Sequence, residues 1–126
     1  MAVYVIALLE FIDEPAYRRY QAEFGKVFSR FDGKVLAADE APSMLEGERC
    51  PDKIVVLEFV TRDEAIRFTC DPDYLRISKD RQAGAVTLSL LASGLQHDEP
   101  ISQTPQTGVI PRRDNTNPCA PAQAGA

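Results

Sequence analysis

Apolar and polar positions along the chain alternate with two periods, and the switches between them mark out the elements. From Ala2 to Phe11 the residues are nearly all apolar and the run is short, which predicts a strand. Its faces would be Val3, Val5, Ala7, Leu9 and Phe11 on one side and Tyr4, Ile6, Leu8 and Glu10 on the other. Asp13 and Pro15 then suit a helix cap and first turn. Tyr17, Tyr20, Phe24, Val27 or Phe28, and Phe31 recur at three- and four-residue steps, one apolar stripe backed by Arg18, Arg19, Glu23, Lys26 and Arg30. The helix is expected to end at Phe31-Asp32-Gly33, with Gly33 in a left-handed conformation.

A short second strand is predicted over Lys34 to Ala38, continuing through Ser43 to Glu48 after a kink at Pro42. Lys53 to Val60 reads as the third strand, and Thr61-x-x-Glu64 as a capping box that opens the second helix. Asp71-Pro72 restarts that helix as far as about Gln82, Gly84 stops it, and Ala85 to Ser93 is the last strand. The order β-α-β-β-α-β is that of a ferredoxin-like plait: an α+β fold with a four-stranded antiparallel sheet and two helices on one face. The other face would carry Tyr4, Ile6, Leu8 and Leu91, too apolar to stand in water. A homodimer packed sheet against sheet is the expected remedy.

Composition changes near the end of the chain. From His97 to Ala126 the residues turn to Pro, Gln, Thr, Asn and Ala, and five of the nine prolines lie there. Residues 1–96 therefore read as one domain and 97–126 as a Pro-rich extended or disordered tail. Val109 and Ile110, ahead of Arg112 and Arg113, would be its anchor on a neighbouring surface. The net charge of −5 is dispersed and gives no basic footprint for nucleic acid. The apolar N-terminus lacks a basic leader and is too short to span a bilayer, so no membrane role is expected. Cys50, Cys70 and Cys119 are odd in number and match no zinc spacing, so free thiols in a reducing, cytoplasmic setting are expected.

Several pieces in order resemble a known family. They are AYRRYQAEF, VFSRFDGKVLAADEAP, LEG, IVVLEF, DPDYL and RQAGA, spread over Val3 to Ser93. The chain is similar in these to the bacterial family called domain of unknown function 1330, in the dimeric α/β-barrel superfamily. That resemblance implies a fold like that of antibiotic-biosynthesis monooxygenases, muconolactone isomerases and other cofactor-free enzymes. Many members of the family carry a glycine pair where this chain reads ADEAP, and the segment after Gln96 has no counterpart in the common pattern.

Candidate chemistry begins with Glu58, a carboxylate inside the run KIVVLEFV. Strand alternation puts it on the face of Ile54, Val56 and Val60. Desolvated by aliphatic neighbours, it would suit a general acid or base; alternatively it pairs with Arg81 or Arg49 and fixes the fold or the dimer. Glu46, next to Gly47, would reach the same cavity from a bent second strand, or face water in a hairpin. Tyr20 and Tyr74, within an aromatic set that includes Tyr17, Phe24 and Phe28, carry hydroxyls that need partners when buried, and would line a ligand cavity or simply fill the core. Arg81 would bind an acidic ligand group or favour the helix C-terminus. His97 is the only histidine, which leaves no multi-histidine metal site, and Gly25, Gly33 and Gly47 are too far apart for a phosphate loop.

Two functions fit these features. One is a homodimeric small-molecule-binding protein or cofactor-independent enzyme of isomerase, lyase or cyclase type, acting on an apolar or aromatic molecule with Glu58 as general acid or base and no cofactor or metal. The other is a non-catalytic dimeric module whose tail docks on a partner. A pocket beside Glu58 would favour the first, and a filled core with Glu58 bridged to Arg81 the second.

Overall fold

A computed structural model describes residues 2–95 and 117–119. Strand β1 (Val3–Phe11) leads into helix α1 (Glu14–Phe28), followed by strands β2 (Gly33–Asp39) and β3 (Lys53–Phe59). Helices α2 (Arg62–Thr69) and α3 (Pro72–Gly84) precede strand β4 (Ala85–Ser93). The sheet order is β2-β3-β1-β4 and every neighbouring pair is antiparallel, the arrangement of a ferredoxin-like plait.

Local chemistry explains most of the boundaries. The Asp13 carboxylate accepts from the Ala16 amide, the Thr61 hydroxyl from the Glu64 amide, and the Asp71 carboxylate from the Asp73 and Tyr74 amides. Each satisfies donors that a helix start leaves unpaired. The capping box at Thr61 is only half made: the Glu64 carboxylate takes the Asp32 amide and Arg67 instead. Cys70 separates α2 from α3, so the expected restart at Asp71-Pro72 opens a separate third helix.

Register sets the two faces of the sheet. Val3, Val5, Ala7 and Leu9 pair with Phe59, Leu57, Val55 and Lys53, and these side chains turn toward the helices. Beneath α1, Phe59 and Phe68 are fully buried within a chain of rings that includes Phe24, Phe28, Phe31 and Tyr74. Gly84 allows α3 to lie directly against the start of α1. A Cβ there would collide with the Tyr17 amide nitrogen, and the Gly84 carbonyl accepts from the Ile12 and Asp13 amides at 2.8 and 3.0 Å.

Four expectations need correction. Helix α1 ends at Phe28, and Phe31 joins the core from the following turn. Gly33 is not left-handed; Gly47 is the described residue with positive φ, and Gly33 is required because a Cβ would meet the Glu58 carbonyl and the Phe59 ring at 2.9 Å. Ser43 to Glu48 forms bends rather than strand, because Pro42 and Pro51 bracket a loop with no neighbouring strand to pair. Leu91 lies on the helix-facing side opposite Val5, so the open face is completed on β4 by Val86, Leu88 and Leu90 instead.

The cysteines also differ from expectation. Cys70 and Cys119 form a disulfide across 49 residues of sequence, and Cys50 alone is free, in an exposed position. Spacing could not reveal the pair, because the fold brings the α2 cap to the short turn at 117–119. A persistent disulfide belongs to oxidising surroundings, so the argument for a reducing compartment falls away. No described helix is long and apolar enough to cross a membrane. The anchor at Val109 and Ile110, with Arg112 and Arg113, lies outside the described residues, as does His97.

Candidate functional site

A cavity of about 210 Å³ lies between the helices α1 and α3 and the covered face of the sheet. Its origin is a row of small side chains in register: Ala38 opposite Val55, Val55 opposite Ala7, and Ala7 opposite Ser89. The flanking rows carry larger groups, Val35, Leu57 and Val5 on one side and Lys53, Leu9 and Thr87 on the other. Small residues between large ones leave space that the helices above do not fill.

The roof is aromatic. Tyr17, Tyr20 and Phe24 of α1 line the cavity together with Tyr74 and Arg81 of α3. The hydroxyls of Tyr20 and Tyr74 stand 3.4 Å apart, so one can donate to the other. Burial pushes the Tyr20 phenol well above its ordinary range, the neighbouring Tyr74 hydroxyl adds to this, and Arg81 opposes it. Tyr20 therefore keeps its proton at neutral pH and is able to donate a hydrogen bond.

Two cations reach the same wall. Lys53 is 5% exposed at its side chain, lies over the Tyr17 ring at 4.9 Å and pairs with Glu40 at 3.3 Å. Glu40 in turn meets Arg18 at 2.6 Å, and Arg18 also holds Glu14. The Arg18 hydrogen bond, helped by Lys53, holds the Glu40 carboxyl down at about 2. Arg81 lies over the Tyr20 ring at 5.7 Å, and its Nε is buried without a hydrogen-bond partner. No Asp or Glu is among the lining residues, so the wall offers donors and positive charge rather than a base.

The structure thus brings Tyr20, Tyr74 and Arg81 together and leaves the two candidate carboxylates elsewhere. Glu46 is exposed in the loop before β3. Glu58 pairs in register with Tyr4 and Lys34 on the open face of the sheet. There it accepts from the Tyr4 hydroxyl at 3.4 Å and meets the Lys34 ammonium at 3.9 Å, beside a shallow hollow that also includes Asp32 and Val60. Neither expected arginine reaches it, since Arg49 holds Glu10 and Arg81 lies on the other side of the sheet. Lys53 was missed in the sequence because a lysine at a strand start reads as a solvated flank. Its two-residue spacing from Val55, Leu57 and Phe59 was the signal.

This geometry defines a ferredoxin-like α+β protein with a cavity between helices and sheet. The chain belongs to the family described as "Domain of unknown function (DUF1330)", whose model matches residues 2–95. None of the curated proteins matches it. Among solved structures it is similar to a protein of unknown function from Rhodopseudomonas palustris, with 22% identity, a TM-score of 0.65, and coverage of 75% of this chain and 83% of that one. It is similar in fold to SnoaB, a cofactor-independent oxygenase from Streptomyces nogalater, at 14% identity and a TM-score of 0.57, covering 79% and 98% of the two chains. A dimeric ferredoxin-like protein of unknown function from Thermobifida fusca shares the fold at 13% identity and a TM-score of 0.54, over 74% and 91%.

Proposed function

We propose that this chain is a homodimeric small-molecule-binding protein whose site is the cavity between α1, α3 and the covered sheet face. The observation that carries the reading is the row Ala38, Val55, Ala7 and Ser89, which opens space under a roof of tyrosines. The cavity is smaller than the ~300–1,000 Å³ of drug-sized sites, so its occupant is about the size of one substituted ring. Apolar walls would hold the body of the molecule, while Tyr20 and Tyr74 would donate to an oxygen on it. SnoaB runs cofactor-independent chemistry on a similar fold. Here the wall favours binding and polarising an oxygen over removing a proton, because Glu58 faces away. The homodimer is supported by the open face, where Val86, Leu88, Leu90, Val60 and Leu36 are exposed.

The test is a titration with indole, a neutral aromatic probe, followed through the methyl resonances of Val5, Val55 and Leu57. Saturable shifts are expected in the parent protein. They should vanish in Ala7→Phe, which fills the space, while the variant's circular dichroism stays unchanged. Shifts that persist in a folded Ala7→Phe protein would place the binding elsewhere and overturn the reading.

A further inference from the structure

We infer that the cavity takes a singly charged organic acid, with its carboxylate on Arg81 and its apolar body under Tyr17, Tyr20 and Phe24. This rests on the cavity being the binding site.

The argument comes from how the positive charges are matched. Among the described residues, nine Lys and Arg side chains stand within 4.0 Å of a carboxylate: Arg18, Arg19, Lys26, Arg30, Lys34, Arg49, Lys53, Arg67 and Arg76. Three form no such pair, namely Arg62, Lys79 and Arg81. Arg62 and Lys79 are exposed, so water serves them. Arg81 instead lines the cavity and buries an Nε–H that has no acceptor. A buried donor left unmatched is costly, and a guanidinium satisfies a carboxylate better than any neutral acceptor because its N–H groups form a planar fork.

Lys53 supplies the contrast. It is the other cation of the wall, but Glu40 already neutralises it, and Arg18 holds Glu40 in place. One cation is spoken for and one is open, so a single negative charge on the ligand balances the wall. Ligands with two acid groups would bring an excess of charge into a wall that is mostly apolar. The Tyr20 and Tyr74 hydroxyls stand on the same roof and can donate to a second oxygen of the acid or of a conjugated carbonyl. Aliphatic side chains below and rings above favour an apolar body that can stack on the rings.

Calorimetric titration with cinnamate, cinnamamide and cinnamyl alcohol tests this. Cinnamate is expected to bind at least ~10-fold tighter than either neutral analogue. Arg81→Gln should cut cinnamate affinity by ~10-fold or more, to the level of the amide, and cut the amide's far less, a charge-selective loss that a purely structural role would not give. Arg81→Lys should keep part of the preference. Equal affinity for all three in the parent protein would overturn the acid inference and leave the cavity reading standing. An acid preference that survives Arg81→Gln but disappears in Lys53→Met would overturn the assignment to Arg81. If none of the three binds the parent protein, the inference and the cavity reading both fall.

Discussion

The two faces of this sheet are made by interleaved residues of the same strands, and they meet different fates. On the covered side, Val5, Leu9, Leu57 and Phe59 pack under aromatic helices, and the small residues among them leave a cavity. On the open side, Ile6, Leu8, Ile54, Val56, Leu88 and Leu90 form an aliphatic surface with nothing above it among the described residues. Each face also carries one charge within β3. Lys53 on the covered face is enclosed and needs Glu40, whereas Glu58 on the open face is 26% exposed and meets a Lys34 that is itself mostly in water. A charge in an apolar strand therefore has no single meaning. The layer above it decides whether it belongs to a site or to a surface.

The largest effect should come from the covered side. Phe68 contacts five aromatic rings with centroid separations of 4.3 to 5.9 Å. Phe68→Ala is expected to cost ~3–5 kcal/mol, since the rings cannot collapse into the space. For a domain of this size that corresponds to a fall in Tm of roughly 15 °C or more, measurable by thermal denaturation. A loss below ~1 kcal/mol would mean that the core is not organised around this ring.

On the open side the expected loss is of assembly rather than fold. Leu88 is 55% exposed in the protomer and sits opposite Leu8. In a sheet-to-sheet dimer, Leu88→Glu would bury a carboxylate in each subunit without a partner, an outcome that dissociation avoids. Sedimentation at micromolar concentration should show twice the chain mass for the parent and one chain mass for the variant, with circular dichroism retained. A parent that sediments as a monomer would break the comparison, because the open face would then be a tolerated surface.

A smaller effect concerns the carboxylate that pairs with Lys53 of the cavity wall. The folded Glu40 carboxyl titrates at about 2, below its ordinary 4.5, chiefly because of Arg18. A depressed carboxyl stabilises the fold above its unfolded value and loses that contribution as pH falls through its folded one. Stability should therefore decline between about pH 4.5 and 2 in the parent, and less so in Glu40→Gln. Because Glu40 is 39% exposed, solvent screening limits the difference at neutral pH to about 1 kcal/mol. Denaturation at a series of pH values reads it, and identical acid limbs for the two proteins would show that the Glu40 pair contributes nothing.

How far the sequence could be read follows from the same contrast. Alternation in β1 and β4, the caps at Asp13, Thr61 and Asp71, and the stripe Tyr17, Tyr20, Phe24 and Phe28 were all legible, because each depends on residues close in sequence. The cavity was not, because the row Ala38, Val55, Ala7 and Ser89 exists only once three registers are known. Alternation placed Glu58 correctly beside Ile54 and Val56, but it could not say which face the helices cover. Leu91 was grouped with Tyr4 for the same reason. Tyr20, Tyr74 and Arg81 converge because α1 and α3 cross at Gly84, a contact between segments far apart in the chain.

The smallest effect, and the one that separates the faces most cleanly, belongs to Glu58. In the protomer its partners are Lys34, which is 75% exposed, and the Tyr4 hydroxyl at 3.4 Å. An ion pair so open is worth little, so Glu58→Gln should change protomer stability by about 0.5 kcal/mol or less. In the dimer the same side chain would be covered by a second sheet, where a carboxylate and its ammonium lose water together and the pair's strength rises or falls with its geometry. The experiment is a double-mutant cycle: Glu58→Gln measured in the parent and in the dissociated Leu88→Glu background. A coupling of ~1 kcal/mol or more would assign Glu58 to the interface and explain a carboxylate in an apolar strand without any catalysis. No coupling, with binding of indole also unchanged, would leave Glu58 as a solvated edge of the open face. If Glu58→Gln weakened indole binding while leaving stability and assembly intact, the division between the two faces would itself be wrong.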